Sequence, residues 1–205
     1  KIELHREQIV QELEPEHLTD RAVFDDISRA MSAITDTPHA FVALMEDKQQ
    51  CIVGQLGDRV QARMERTFSF CTHTLSAGDI TIVEDATKDD RFKENELVGG
   101  ADGLRFYVGI PLFVNDVPVG TVCATDSEPR EVDPSRRAEM FGLVRHVERF
   151  FETFYRQPEG TVERDVVERL TRMAMETVVC RWTGDSAENN QSMIDMEQHI
   201  DFLYD

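Results

Sequence analysis

Cys71 and His73 lie two residues apart in SFCTHTL, 69–75. A cysteine and a histidine are the residue types that make a nucleophile with its base, or a pair of metal ligands. Their segment, Phe68 to Ala77, reads as a short helix closed by Gly78, a residue that accepts the left-handed conformation at a helix end. Side chains two apart on a helix do not face each other. Cys71 is therefore expected as a buried thiol of apolar character, and His73 as a solvated or pocket-rim side chain. Neither a catalytic residue nor a metal site is assigned from this pair. The other cysteines, Cys51, Cys123 and Cys180, are widely spaced and form no CxxC pair, so neither a zinc site nor a disulfide framework is signalled.

A second group lies in EDATKDDRFKENELVGGADG, 84–103, which is dense in charge, carries three glycines and has few apolar anchors. Connections of this length are usually functional loops or lids. Its Asp85, Asp89, Asp90 and Arg91 could hold a polar ligand or a cation; equally, they could pair with one another and cap local amides. Arg105 and Tyr107 follow directly, at the start of an apolar run. They could aim a bidentate donor and a hydroxyl into a pocket, and Arg105 could as well serve the loop carboxylates.

The elements that must position these groups centre on two apolar runs, RFYVGIPLFV (105–114) and VPVGTVCATD (117–126). Only Asn115 and Asp116 separate them, which predicts a tight antiparallel hairpin. Along the first run Phe106, Val108, Ile110, Leu112 and Val114 share one face, while Tyr107, Gly109, Pro111 and Phe113 share the other. Both faces are largely apolar, so both need cover. Upstream, Leu18, Val23, Ile27, Ala30, Met31 and Ile34 recur at helical spacing, and AFVALMED (40–47) and CIVGQLG (51–57) read as a second hairpin. Residues 58–65 carry no readable pattern. A short strand is expected at Ile80–Val83. Downstream, Asp133-Pro134 starts a helix with Met140, Phe141, Val144, Val147, Phe151 and Phe154 on one broad face. A further amphipathic helix is expected over Thr161–Arg181, and Met193, Met196, Ile200 and Leu203 form a last helical stripe. The first ten residues read as the tail of an upstream helix or linker. The order of elements predicts an α+β fold rather than a doubly wound sheet.

The chain has 205 residues, with 40 acidic against 22 basic residues and a net charge of -18. Direct contact with nucleic acid or an anionic membrane is disfavoured. No apolar run reaches membrane-spanning length and no signal peptide is evident, which predicts a cytoplasmic protein without membrane insertion. Lysine is scarce, at positions 1, 48, 88 and 93 only. Acidic, lysine-poor composition is that expected of a very salty cytoplasm, such as that of a halophilic archaeon, where charge repulsion is screened over about 3 Å at molar salt; the alternative is an ordinary acidic protein from an organism of high genomic G and C content.

Several segments occur together in the order and spacing of the GAF domain family, sensor modules related in fold to PAS domains. They are SFCTHTL (69–75), IVEDATKDDRF (82–92), ENELVGG (94–100), LRFYVGIPL (104–112) and VGTVCATDSEPR (119–130). The resemblance covers about Asp20 to Phe154. It implies a GAF-like, PAS/profilin-like six-stranded antiparallel sheet with flanking helices. One face would carry the terminal helices and the other a ligand pocket under the short helix and long loop. It places a sensor domain at 1–157 and a helical extension at 158–205. It further implies a small-molecule ligand bound by Phe70, Cys71, Asp85, Phe92, Arg105 and Tyr107, a homodimer through the terminal helices, and regulation of an output domain or partner signalling protein. No particular cofactor is indicated.

Some GAF-like proteins reduce free methionine sulfoxide with cysteine chemistry. Cys51 and Cys71 lie where two of that group's cysteines would, but the loop 85–103 has no cysteine for the third. The cyclic-nucleotide pattern NKxnFxxxDE and a bilin-attachment cysteine are also absent. The chain is therefore expected to be a non-enzymatic sensor, with a sulfoxide reductase or a dimerisation module with a vestigial pocket as the alternatives.

Overall fold

Asn115 and Asp116 both adopt positive φ, 50° and 62°, the backbone that a two-residue turn requires if its twist is to match the strands it joins. The computed structural model describes residues 2–18, 22–57, 61–156 and 162–184. The turn joins β5 (Phe106–Val114) to β6 (Val117–Asp126). These strands sit in one sheet with β1 (His39–Met45), β2 (Gln49–Leu56), β3 (Arg63–Glu65) and β4 (Thr81–Val83), in the order β3-β2-β1-β6-β5-β4. Every neighbouring pair is antiparallel. The α+β architecture with six antiparallel strands is the one the sequence predicts. β3 lies where the sequence has no readable pattern: three residues at a sheet edge are too few to show alternation.

One face of the sheet is covered by α1 (Ile2–Leu13), α3 (Ala22–Thr35) and α5 (Arg136–Arg156), with the single turn α2 (Pro15–Leu18) beside them and α6 (Val162–Thr183) packed on α3 and α5. The helical stripe read from Val23 to Ile34 is fully buried. α3 lies directly on β2: a Cβ at Gly54 would stand 2.3 Å from Phe24 Cβ, so only glycine permits this approach. Phe24 in turn meets Phe150 edge-on at 5.3 Å and Phe151 at 5.4 Å. Asp133 opens α5 by accepting the Ser135 amide at 2.9 Å, as an N-terminal cap does.

The terminal helices belong to this core more fully than their sequence suggests. α1 is no free linker, since it buries Ile9 and Val10. α6, expected beyond a domain boundary, packs on α3 and α5 and buries Ala174 and Met175. Arg172 Nε on α6 also donates to the buried Asp26 carboxylate of α3 at 2.8 Å. The boundary expected at 157–158 and the helical stripe from Met193 to Leu203 lie outside the described residues. On α5, one of the terminal helices expected to form a homodimer, Phe150 and Phe151 are fully buried within the chain, while Phe141 is exposed. Among the described residues no helix is long and apolar enough to cross a membrane.

The opposite face of the sheet carries a separate apolar cluster, under α4 (Phe70–Ala77) and the connection 84–105. The expectation that both faces of the hairpin are covered holds, but the two coverings differ in kind.

Candidate functional site

Ser69 starts α4 as its N-cap, accepting the Cys71 amide at 3.1 Å, and Gly78 ends it at φ 65° with its amide on Thr74 O at 3.1 Å. This geometry puts Cys71 in the first turn and aims it at the sheet. The long connection is held by its own caps. Asn95 Oδ1 accepts the Leu97 amide at 2.9 Å while its Nδ2 donates to Phe68 O at 3.1 Å, tying the connection to the segment that leads into α4. Arg105 closes the far end, donating to the carbonyls of Val98 at 2.8 Å, Gly100 at 2.7 Å and Leu104 at 3.1 Å.

Three carboxylates of the connection are paired locally. Asp85 accepts from Lys88 at 2.9 Å and from the hydroxyl and amide of Thr87 at 2.6 and 3.1 Å. Those hydrogen bonds, Lys88 first, hold its carboxyl down at about 2. Asp89 takes Arg91 at 2.6 and 2.9 Å, which lowers the carboxyl and raises the guanidinium, and Asp90 takes Lys93 at 2.6 Å. Of the two roles open to these residues, the structure displays pairing and turn-capping. Among the described residues no three histidine, cysteine, aspartate or glutamate side chains are grouped to hold a metal ion.

A cavity of about 300 Å³ lies between β1, β2, α4 and the connection. Phe41, Phe70, Leu97 and Leu104 give it apolar walls, while Gln50, Ser69, Asp102 and Asp126 bring polar atoms to it. No lysine or arginine lines it. Asp126 is tied to Arg130 Nε at 2.5 Å.

Three of the six residues expected to bind a ligand, Phe70, Cys71 and Tyr107, line this cavity; Asp85, Phe92 and Arg105 do not. Asp85 is turned into its own loop. Phe92 is fully buried, stacked under Phe70 at 3.9 Å with the exposed His73 edge-on to it at 4.7 Å, so it supports the wall from behind. Arg105 aims at carbonyls of the loop, neither at its carboxylates nor at the cavity. The rings Phe92, Phe70 and Tyr107 therefore fill part of the space expected for a ligand, and the open volume lies beside Phe70 and Tyr107, bordered by residues of β1, β2, β3 and β6.

Tyr107 crosses over Gly109, where a Cβ would meet the phenol oxygen at 2.0 Å. Its hydroxyl reaches Thr74 Oγ1 at 2.7 Å and Cys123 Sγ at 3.4 Å. Cys123 Sγ also donates to Thr121 Oγ1 at 3.0 Å and lies 3.2 Å from Cys71 Sγ. Two thiols, a phenol and two threonine hydroxyls thus form one buried cluster at the foot of the cavity. Burial opposes charge on Cys71, but hydrogen bonds from Cys123, Thr121, Tyr107 and Ser69 outweigh it and bring the thiol down to about 7. Burial and the neighbouring Cys71 push Cys123 up, and burial with both sulfurs pushes Tyr107 up.

Cys123 is the residue that sequence reasoning missed. Counting across the turn from the Val114–Val117 pair sets Val122 opposite Gly109 and sends Cys123 to the helical face. A bulge between Leu112 and Phe113 shifts the register by one residue, pairs Gly109 with Cys123 and turns the thiol toward Cys71. Cys51, by contrast, packs on the helical face, away from Cys71.

The GAF domain family model matches residues 21–157. Over 109 residues, 53% of this chain, the sequence is 32% identical to a cyclic di-GMP phosphodiesterase of Pseudomonas aeruginosa, and it spans 18% of that protein's length. Free methionine-R-sulfoxide reductase from Neisseria meningitidis, solved with its substrate, shares the fold at TM-score 0.54 and 15% identity, over 77% of this chain and 93% of that one. The corresponding type II enzyme of Thermoplasma acidophilum has TM-score 0.52 and 8% identity, over 69% and 93%. A GAF domain from an Acinetobacter phosphoenolpyruvate-protein phosphotransferase has TM-score 0.51 and 12% identity, over 76% and 93%. The expectation of a non-enzymatic module is overturned by these findings. The fold is shared with enzymes, the sequence relative is itself named as one, and the missing loop cysteine does not leave the cavity without a close thiol partner for Cys71.

Proposed function

This chain belongs to the GAF domain family, and from that premise we propose that it senses a small ligand bound in the 300 Å³ cavity and passes occupancy to an output domain or partner signalling protein. The lining supports the reading: apolar walls, the carboxylates of Asp102 and Asp126, the latter held by Arg130, one imidazole, His39, and neither lysine nor arginine. A phosphate or carboxylate group would meet two carboxylates and no lysine or arginine, whereas an amine or a neutral donor on an apolar body finds both surfaces it needs. The ligand class is a small, neutral or cationic hydrogen-bond donor. Calorimetry with phenethylamine and its anionic near-isostere 3-phenylpropionate tests this. Preferential binding of the amine, weakened in Asp102→Asn, is expected; preference for the carboxylate, or no binding of either, sinks the reading.

A second reading is favoured by the 3.2 Å Cys71–Cys123 approach: reduction of a small sulfoxide. Two thiols would become a disulfide while the sulfoxide becomes a sulfide and its oxygen leaves as water. Thiol-dependent turnover of free methionine sulfoxide, lost in Cys71→Ser, supports it, and an inert wild-type protein removes it.

A further inference from the structure

Cys71 and Cys123 come from elements 52 residues apart, yet their sulfurs stand 3.2 Å from each other, about 1.2 Å beyond the length of a disulfide bond. The two sites are unequal. Cys71, buried to 2% exposure, is among the residues that line the cavity, whereas Cys123, at 0%, lies behind it and does not line it. Cys71 also sits in the first turn of α4, where the exposed amide ends of the helix favour a thiolate. Tyr107 and Thr121 surround the second sulfur with hydroxyls that can move a proton. A cavity-lining cysteine with a second sulfur held in contact behind it is the arrangement of an attacking and a resolving thiol.

We propose that Cys71 and Cys123 form a dithiol oxidation site for a small hydroperoxide, whose disulfide product staples α4 to the centre of β6 beneath the cavity. In the first step the Cys71 thiolate attacks the terminal oxygen of the peroxide. The O–O bond breaks, Cys71 becomes a sulfenic acid, and the remaining oxygen leaves as an alcohol, or as water from hydrogen peroxide, taking one proton. In the second step Cys123 sulfur attacks Cys71 sulfur. The S–S bond forms, the S–OH bond breaks, and the hydroxyl departs as water with the Cys123 proton. Two thiols have lost two electrons and the peroxide has gained them. α4 is one wall of the ligand cavity, so the staple changes the freedom of that wall. The site uses the cavity as an entrance and does not depend on the amine-binding reading, so the two fail separately.

The test treats the folded chain, in a Cys180→Ser background that removes the half-buried thiol of α6, with hydrogen peroxide. Remaining thiols are then alkylated in denaturant and the peptides mapped by mass spectrometry. The expected result is a cross-linked pair containing Cys71 and Cys123 that dithiothreitol separates. In Cys123→Ser, Cys71 is expected to stop at a sulfenic acid that dimedone traps. Cys51 should stay alkylatable, because it faces the helical side of the sheet. The proposal is overturned if the unsubstituted pair stays fully alkylatable under excess peroxide while circular dichroism shows the chain folded. It is equally overturned if oxidation falls on Cys51 in preference to Cys71. The mapping needs no substitution within the pair, so it remains decisive even where Cys123→Ser folds poorly.

Discussion

The two faces of the sheet are built from the same strands with alternating side chains, and they are used in opposite ways. On the helical face Phe24, Ile27 and Met31 of α3 interlock with Phe150 and Phe151 of α5 and are fully buried. On the other face one eight-residue helix and a loop span the same sheet and leave about 300 Å³ open beside Phe41, Phe70 and Tyr107. Helices bring whole apolar stripes to a surface and fill it to the density of a crystal; a charged, glycine-bearing loop cannot, because its side chains are engaged with its own backbone. Stability is thereby concentrated on one side and vacancy with reactive groups on the other.

The sharpest way to break this comparison is a matched truncation. Phe24→Ala should destabilise by about 3–5 kcal/mol, the range for removing a buried aromatic that the surroundings cannot replace. Phe41→Ala borders an existing cavity and should cost less, by at least about 1 kcal/mol. Urea unfolding of both variants decides the matter, and equal losses would mean that the cavity face is packed as tightly as the helical one.

The next effect lies in the loop. Arg105→Ala removes three hydrogen bonds to carbonyls, and a single bond to a charged group is worth about 1.5–3 kcal/mol at most. With solvent able to reach part of the site, the expected loss is about 1–3 kcal/mol, accompanied by faster proteolysis within 98–103. A variant that keeps full stability and protease resistance but loses ligand binding would return Arg105 to the ligand site.

What the sequence made legible follows the same division. The hairpin was readable because Asn115-Asp116 is local turn chemistry, Gly78 because a left-handed cap needs glycine, and α3 because its stripe has one period throughout. The site was only half readable. Phe70, Cys71 and Tyr107 follow from element and face, but Cys123 depends on a bulge that no local residue pattern announces. Arg105 defeated the reading for another reason: a guanidinium beside many carboxylates suggests ion pairs, while Asp85, Asp89 and Asp90 had already found partners two or three residues away and left it the loop carbonyls. The attachment of α6 rests on contacts with α3, far away in sequence, and Arg172 gives no hint of Asp26 from its own neighbourhood.

A smaller effect sharpens the comparison within the thiol cluster. Tyr107→Phe deletes one buried hydroxyl and leaves Thr74 Oγ1, also buried, to lose its 2.7 Å partner. The loss should be about 1 kcal/mol, or up to about 3 where the threonine stays unsatisfied. The accompanying Thr74→Val, Tyr107→Phe double variant should recover part of it, since removing both polar groups leaves neither stranded. A strictly additive cycle by urea unfolding would show that the two hydroxyls do not act as a pair.

The last effect is a pH dependence whose rising limb the cavity face should produce. An unfolded cysteine titrates at about 8.5, while folded Cys71 is brought down to about 7. Between these values the unfolded state binds more protons than the folded one, so the Cys71 contribution to stability rises with pH, is complete above the unfolded value, and is lost as pH falls through 7. Cys123 and Tyr107 are shifted the other way. Each keeps its proton in the folded chain when the unfolded one has released it, so both subtract from stability above about pH 8.5–10, where their unfolded counterparts titrate. The expected profile climbs from pH 7, peaks near 8.5 and declines beyond. His39, Asp102 and Asp126 line the same cavity, so the share of the thiol is read as the difference between wild type and Cys71→Ser, followed by urea unfolding at intervals from pH 6 to pH 10. In that variant the climb should vanish while a decline from Tyr107, Cys123 and the likewise raised Cys51 persists. A wild-type profile that is flat from 7 to 8.5 would mean that the buried pair holds both protons, and that the neighbouring hydroxyls do not offset the burial of Cys71.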